Sequence, residues 1–284
     1  MTARLLFRHE TILAVLTVIA LFVLSMLSDK FFTVDNLLNQ GRLMSEVRLV
    51  ALAMTFVIVT GGIDLSVGSI LGLTAILFGI FWQSLGLPIP LAMAAAIASG
   101  TFAGFVNGLI ITRFSVPPLI ATLATLALYR GLAEGISQAR SVRGYPEWFF
   151  FFGQGEVLGV PFQLWILGIC TVIAAVILGY TPFGRATYAI GANETAARFS
   201  GIRVDAVKLW IYTAAGFMAA LAAVIFVSRV TTTRSDMGTG LELDVITGVV
   251  LGGTSIFGGK GTILGTALGL ILIQALKNGL ALSG

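Results

Sequence analysis

Cysteine and histidine are almost absent from this chain, which has one of each, Cys170 and His9. A single cysteine excludes an internal disulfide and a cysteine-rich metal site, and one histidine near the start excludes histidine-based catalysis or zinc binding within the membrane. We therefore predict no metal site and no catalytic residues. Charge is scarce as well, at 11% of residues, whereas soluble domains carry about 25%. The net charge of +4 is too small and too scattered to indicate a nucleic-acid partner.

Long apolar runs stand in place of charge. Hydrophobic residues make up 57% of the chain, and its 34 glycines suit close helix packing in lipid. A helix needs about 20 apolar residues to cross a bilayer, so the runs predict an all-α polytopic membrane bundle with about nine spans and with broken helices. The predicted spans are 11–28, 44–60, 67–82, 90–112, 119–136, 161–180, 209–228, 244–257 and 262–276.

One polar stretch interrupts the apolar sequence where a span should continue. It contains Gly61, Gly62, Asp64, Ser66 and Ser69, with long uncharged runs on both sides. Non-helical backbone at membrane depth occurs only where protein covers it or a wet cavity borders it, so the stretch is a candidate pathway element. A structural role is equally compatible, since the Asp64 carboxylate can accept an amide hydrogen from Ser66 and cap the next helix.

Other charges near the spans also need partners. Arg130 and Glu134 are four residues apart on one predicted helix face, and we expect them to pair with each other. Glu46 and Arg48 are two residues apart and point in different directions, so each needs its own partner or an interfacial location.

Two segments echo each other along the chain. Val57–Gly62 is similar to 249–253, and glycines recur every four residues from Gly100 to Gly108 and from Gly261 to Gly269. Such ladders are typical of close helix packing, and internal echoes also occur in transporters built from repeats. We interpret the two ladders as packing surfaces.

Residues 181–207 predict a loop outside the membrane that contains a short helix. Asn193 is a suitable N-cap, Glu194 suits the first turn, and Gly201 suits the C-terminal stop. A helix of two turns is unstable alone in water, so it must dock either on the spans of this chain or on a cytoplasmic subunit.

Nucleotide binding is not expected. The glycine-rich run 253–262 differs from the phosphate-loop pattern at two positions, because residue 254 is Thr where glycine is required and residue 261 is Gly where Ser or Thr is required. The apolar spans also lack the paired carboxylates or nucleophile of an intramembrane enzyme.

Four stretches together resemble the permease subunits of bacterial ATP-binding-cassette (ABC) importers for monosaccharides, the group of ribose, xylose, galactose, arabinose, rhamnose and autoinducer-2 systems. They are TGGIDLSVGS at 60–69, NGLII at 107–111 with PPLIATLAT at 117–125, GANETAARFSGI at 191–202, and VVLGGTSIFGGKGT at 249–262. Together with their spacing they cover most of the chain.

The resemblance implies one transmembrane permease domain over 1–284, in a multi-pass protein of the bacterial inner membrane with a cytoplasmic N-terminus. It implies a cytoplasmic ATPase that binds ATP, a second permease subunit and a periplasmic sugar-binding protein, with no cofactor in this chain. Family members have about ten spans, and this sequence ends one span earlier.

The resemblance also implies that the helix near 193–200 is a coupling helix that docks on the ATPase. The residues we assign to this coupling are Gly191, Asn193, Glu194, Ala197, Arg198 and Gly201.

A neutral sugar suits a pathway of glycines, hydroxyls and aromatics. The predicted pathway residues are Gly61, Gly62, Asp64, Ser66, Asn107 and Phe257. The alternative is a branched-chain amino-acid permease of related architecture, for which we would expect more fixed charge along the path.

Overall fold

The computed structural model describes residues 9–27, 29–138 and 140–283, and in these ranges the chain forms thirteen α-helices. They are α1 (His9–Leu27), α2 (Val34–Leu43), α3 (Ser45–Val59), α4 (Val67–Gly79), α5 (Ile89–Arg113), α6 (Pro118–Ser137), α7 (Phe151–Gln154), α8 (Phe162–Tyr180), α9 (Pro182–Ala192), α10 (Glu194–Phe199), α11 (Val204–Val230), α12 (Leu241–Leu251) and α13 (Ile263–Ser283). A π-helical turn, Ile80–Ser84, extends α4, and a 3₁₀ turn, Glu147–Phe150, precedes α7.

Two small antiparallel strand pairs complete the described structure. Strand β1 (Val142–Arg143) pairs with β4 (Thr232–Thr233), and β2 (Glu156–Val157) pairs with β3 (Val160–Pro161). Both pairs lie in connections between long helices, so the bundle remains helical as predicted.

Six helices of the described chain are long and apolar enough to cross a membrane. They are α4 with its π-helical extension, α5, α6, α8, α11 and α13. The other three predicted spans correspond to α1, whose apolar part is Glu10–Met26, and to α3 and α12, with 15 and 11 residues. The predicted count of about nine is therefore not confirmed, while a polytopic helical membrane protein is.

The glycine ladders are helix-packing surfaces, as interpreted from the sequence. A Cβ at Gly104 of α5 would lie 2.8 Å from Gly216 of α11, and one at Gly100 would overlap Ala220. In the second ladder, Gly265 and Gly269 of α13 lie against the backbone of α12. A side chain at these positions would force the helices apart.

The helices have two ends that can be recognised from contacts. At one end, here called the α10 end, Gly259 donates its amide to the Val59 carbonyl (2.8 Å) and lies beside Ala192, next to α10. Glu10 of α1 accepts a hydrogen bond from Thr262 at the same end.

At the opposite end, aromatic side chains cover the bundle. Tyr145 stacks on Trp82 with ring centroids 4.4 Å apart and on Phe78 at 5.2 Å. Phe149 is fully buried against the same rings, whereas Trp148 is half exposed.

The predicted spans 209–228 and 244–257 place the residues between them in a loop outside the bundle, and the structure contradicts this expectation. Residues 232–240 run along α4 instead, and α12 begins at Leu241 rather than at Asp244. This non-helical stretch is called the re-entrant segment below.

Candidate functional site

The polar break between α3 and α4 forms a closed hydrogen-bond network. Asp64 accepts hydrogen bonds from the Ser66 amide (2.9 Å) and the Ser66 hydroxyl (2.6 Å) through the same carboxylate oxygen. The Asn107 side chain of α5 donates to the Ser66 hydroxyl at 2.7 Å. Tyr129 of α6 donates to the Ala103 carbonyl at 2.9 Å, and its hydroxyl lies 3.4 Å from the Asn107 oxygen. The predicted hydrogen bond from the Ser66 amide to Asp64 is present, but Ser66 itself occupies the N-cap position of α4 and that cap has no side-chain hydrogen bond, so Asp64 fixes the turn before α4 rather than capping the helix.

Solvent does not reach this network in the described structure. Asp64, Ser66 and Asn107 each have 0% of their surface exposed. The second Asp64 oxygen, Oδ2, and the buried Tyr212 hydroxyl have no hydrogen-bond partner within the described residues. A buried polar atom without a partner is costly, so these two atoms weaken the closed network.

The remaining predicted pathway residues lie beside the network. A Cβ on Gly62 would collide with the Tyr212 hydroxyl, and one on Gly61 would meet the Phe257 carbonyl at 3.7 Å. The Phe257 side chain is 87% exposed. The structure thus brings the predicted residues into one region, with the carboxylate and hydroxyl sealed inside it and the phenylalanine outside. Their role in transport stays a prediction.

The predicted short helix is present as α10. The Asn193 side chain accepts a hydrogen bond from the Ala196 amide at 2.9 Å, which is the N-cap expected from the sequence. Gly201 ends the turn with a φ of +82°, a conformation that glycine adopts without strain. Ala197 is buried against Ile190 and Val204, so it faces this chain rather than a partner.

Charged side chains fix α10 on its neighbours. Glu194 pairs with Lys208 at 2.5 Å and with Arg198 at 3.0 Å, and Arg198 also pairs with Asp205 at 2.6 Å. Partial burial raises the pKa of Glu194, but the hydrogen bonds and charges of Lys208 and Arg198 outweigh burial and lower the pKa overall. Hydrogen bonds to Asp205 and then to Glu194 raise the pKa of Arg198.

Gly191 connects this segment to both broken helices. A Cβ at this position would collide with the Val59 carbonyl of α3 and with the amide of Gly259 in the loop before α13. Only glycine allows the three backbones to meet at this point, which joins the end of α9 to the break and to the loop before α13.

Several residues of these networks give no clear signal in the sequence. Phe199, at the end of α10, is 90% exposed, and it gave no signal beyond being an aromatic residue in a polar loop. Lys208 and Asp205 belong to the α10 charge network but lie at the start of an apolar helix. Tyr129 and Tyr212 were hidden inside apolar runs.

The expected pair between Arg130 and Glu134 is wrong. Arg130 instead donates to the carbonyls of Ser235 (2.6 Å) and Met237 (3.0 Å) in the re-entrant segment. Glu134 is exposed on the surface of α6, whereas Arg130 is half-buried against the re-entrant segment, whose two carbonyls its guanidinium therefore contacts. Glu46 has the separate partner that the spacing required, Arg229 at 2.8 Å, whereas the buried Nε of Arg48 has no hydrogen-bond partner among the described residues.

Comparisons with known proteins agree with this architecture. Residues 36–284 match the family model described as the branched-chain amino acid transport system / permease component. The chain is 42% identical to the ribose import permease protein RbsC of Escherichia coli K12, over 98% of this chain and 87% of that protein.

Two further relatives extend the likeness. RbsC of Bacillus subtilis is 44% identical over 94% of this chain and 83% of its own length. The autoinducer 2 import system permease protein LsrD of Escherichia coli HS is 36% identical over 99% of this chain and 87% of its own length. The comparison with solved structures gave no match. Because the family model and these relatives extend over nearly all of the sequence, the chain belongs to the permease components of ABC importers, in the group that contains the monosaccharide importers.

Proposed function

We propose that this chain is the membrane-spanning permease of an ATP-driven importer that carries a monosaccharide across the bacterial inner membrane, with ribose as the first sugar to test. The observation that carries the proposal is the likeness to ribose import permeases over 98% of the chain, at 40% and 42% identity. The description of the family mentions branched-chain amino acids, but the similar relatives named above import a sugar or autoinducer 2.

The α10 end is assigned to the cytoplasm and the aromatic-covered end to the outside. In this orientation α1 begins inside, and α3 and α12 supply two short passes that complete nine crossings with the six long helices and α1. The first eight residues, which contain the N-terminus itself, lie outside the described residues.

The proposed partners follow from the surface around α10. A cytoplasmic ATPase binds and hydrolyses ATP and docks on α10, where Phe199 is exposed and the Glu194–Arg198 pair orders the helix. A second permease subunit and a periplasmic sugar-binding protein complete the importer. Gly191 and Gly201 set the backbone on either side, and Ala197 seats α10 on Ile190 and Val204.

In the proposed cycle, the break at 60–66 is the inner gate of the sugar pathway. Asp64, Ser66 and Asn107 hold it shut by mutual hydrogen bonds, and Gly61 and Gly62 give the backbone freedom to move. Movement of α10 reaches this gate through Gly191. Phe257, whose carbonyl lies beside Gly61 and whose side chain is exposed, lines the cytoplasmic exit of the pathway.

The docking role is tested by reversing one charge in proteoliposomes that contain the permease, its ATPase and the sugar-binding protein. Glu194→Arg places three cations together and removes two ion pairs. Hydrogen bonds to charged groups contribute about 1.5–3 kcal/mol, so we expect ribose uptake and stimulated ATPase activity to fall about tenfold or more while insertion persists.

The matched control is Glu147→Arg, an exposed glutamate at the opposite end, which should retain uptake within about twofold because surface charges there contribute little. Equal uptake by the Glu194→Arg variant and the wild type would refute the docking role of α10. Uptake of leucine in place of ribose by the wild type would support the amino-acid alternative.

A further inference from the structure

The re-entrant segment descends along α4 well below the outer end of the bundle. Thr233 lies against Gly79, Ser235 and Met237 against Gly72, and Gly238 against Gly68. These glycines span 11 residues of α4, so the segment descends by about 16 Å at 1.5 Å per helical residue. It therefore places non-helical backbone inside the membrane-spanning part of the chain.

This depth is fixed by contacts from two other elements. Thr233 pairs with Val142 in the β1–β4 ladder near the outer end. Farther down, Arg130 of α6 donates to the carbonyls of Ser235 and Met237. The segment is thus an ordered part of the bundle, and its inner face is packed against α4.

The outer face of the same segment carries exposed charges. Arg234 and Asp236 form an ion pair at 2.5 Å, yet their side chains remain 63% and 58% exposed. Thr239 and Asp244 are further polar side chains on this face, and Thr239 is exposed as well. Charged side chains at membrane depth face a water-filled cavity or another protein rather than lipid, and irregular backbone is tolerated only in the same places.

A cavity of about 610 Å³ lies in front of this face. Its polar lining residues are Thr232, Arg234, Asp236, Thr239 and Asp244. The volume falls within the range of about 300–1,000 Å³ that is typical of small-molecule sites. By contrast, the cavity of about 310 Å³ between α3, α8 and α11 has an almost entirely apolar lining and offers a sugar no hydrogen bonds.

We propose that the re-entrant segment 232–240 forms a water-filled vestibule in which the incoming monosaccharide is held before it passes the inner gate. This inference rests on the proposed function and adds a site to it. Carboxylates accept hydrogen bonds from sugar hydroxyls, the guanidinium of Arg234 donates them, and threonine hydroxyls do both. Asp236 and Thr239 are the residues that bind the sugar, and Arg130 is the positioning residue that holds the segment at its depth.

Cysteine accessibility tests the water-filled face directly. In a Cys170→Ala background of the assembled importer, Thr239→Cys should react with a charged, membrane-impermeant methanethiosulfonate added from outside. The matched control is Thr247→Cys, an exposed threonine two turns into α12 and outside the cavity lining, where lipid keeps the charged reagent away. We expect the reaction at position 239 to be about tenfold faster or more, and ribose with its binding protein should slow it.

Uptake provides the second measurement. Asp236→Asn should lower ribose uptake about tenfold, whereas Asp35→Asn, on exposed α2, should leave it unchanged. Equal labelling at positions 239 and 247, labelling insensitive to ribose, or wild-type uptake by Asp236→Asn would each overturn the vestibule. Failure of the wild type to import any monosaccharide, with position 239 still labelled faster than position 247, would refute the proposed function and the sugar-holding role of the vestibule, while the water-filled face itself would stand.

Discussion

Two non-helical segments next to α4 differ in the burial of their polar side chains. In the break at 60–66, Asp64 and Ser66 are fully buried and bonded to each other and to α5. In the re-entrant segment 232–240, the side chains of Arg234 and Asp236 bond only to each other among the described residues and remain more than half exposed. Irregular backbone alone therefore does not identify a pathway. The exposure of the side chains decides whether such a segment closes the pathway or borders an open cavity.

The difference between the segments matches the two ends of an alternating-access cycle. The break lies near the α10 end and is closed by side-chain hydrogen bonds, whereas the re-entrant segment enters from the opposite end and borders a cavity of about 610 Å³. In the proposed importer with its proposed orientation, we interpret this arrangement as a state that is closed toward the cytoplasm and open toward the outside.

The largest effect is expected from Asp64→Ala in the sealed break. This change leaves the amide and the hydroxyl of Ser66 without their acceptor. Each buried unsatisfied group costs about 1–3 kcal/mol, so the free energy of unfolding should fall by about 4 kcal/mol. Thermal unfolding of the purified chain in detergent measures the loss.

Asp64→Asn is the matched variant, because its side-chain carbonyl still accepts from Ser66. It should retain most of the stability. An equally large loss in both variants would show that the charge itself, rather than the acceptor, holds the break together, and the comparison between sealed and open segments would fail.

A smaller effect is expected from Arg130→Met, which removes the hydrogen bonds between α6 and the re-entrant segment. The variant removes the donors to Ser235 and Met237, but water in the vestibule can replace part of them. We expect a loss of about 2 kcal/mol in unfolding free energy, since one of two charged hydrogen bonds remains uncompensated. Labelling of Thr239→Cys should also change, because the segment loses its fixed depth. Arg140→Met, at an exposed loop position, should change neither measurement.

The sealed break and α10 could be predicted from the sequence because their signals are local. A carboxylate and two glycines interrupt an apolar run at 61–64, and Asn193 and Gly201 stand at the two ends of a short helix. In each case the hydrogen bond that fixes the structure joins residues two or three positions apart.

The re-entrant segment could not be predicted because its contacts join residues that are far apart in the chain. Arg130 donates to a carbonyl 105 residues away and not to the glutamate four residues away. The segment 232–240 has no periodicity that predicts a helix or a strand, and its descent along α4 depends on glycines of α4 itself. The length of α12 also differs from the prediction, since the helix ends at Leu251 although the uncharged sequence continues to Phe257.

The smallest effect is expected from a Gly→Ala change in each of the two segments, at glycines that have the same φ. Gly61 and Gly240 both have a φ of +79°. A Cβ on Gly61 would make only an ordinary contact at 3.7 Å, and a Cβ on Gly240 would have no neighbour within 4 Å. Left-handed backbone costs an alanine about 1–2 kcal/mol, and the stiffer unfolded chain offsets part of this, so each Gly→Ala change should lower the unfolding free energy by about 1 kcal/mol.

Equal losses of stability allow the two variants to be compared for transport. If the break must change its backbone to open, Gly61→Ala should slow ribose uptake, because alanine restricts the conformations that the moving segment can reach. Gly240 lines the vestibule but is not one of the residues assigned to bind the sugar, and a Cβ there meets no atom within 4 Å, so Gly240→Ala should slow ribose uptake less than Gly61→Ala does. Slower uptake in the Gly240 variant alone would reverse the assignment of the moving and the static segment, since both proteins would be equally stable.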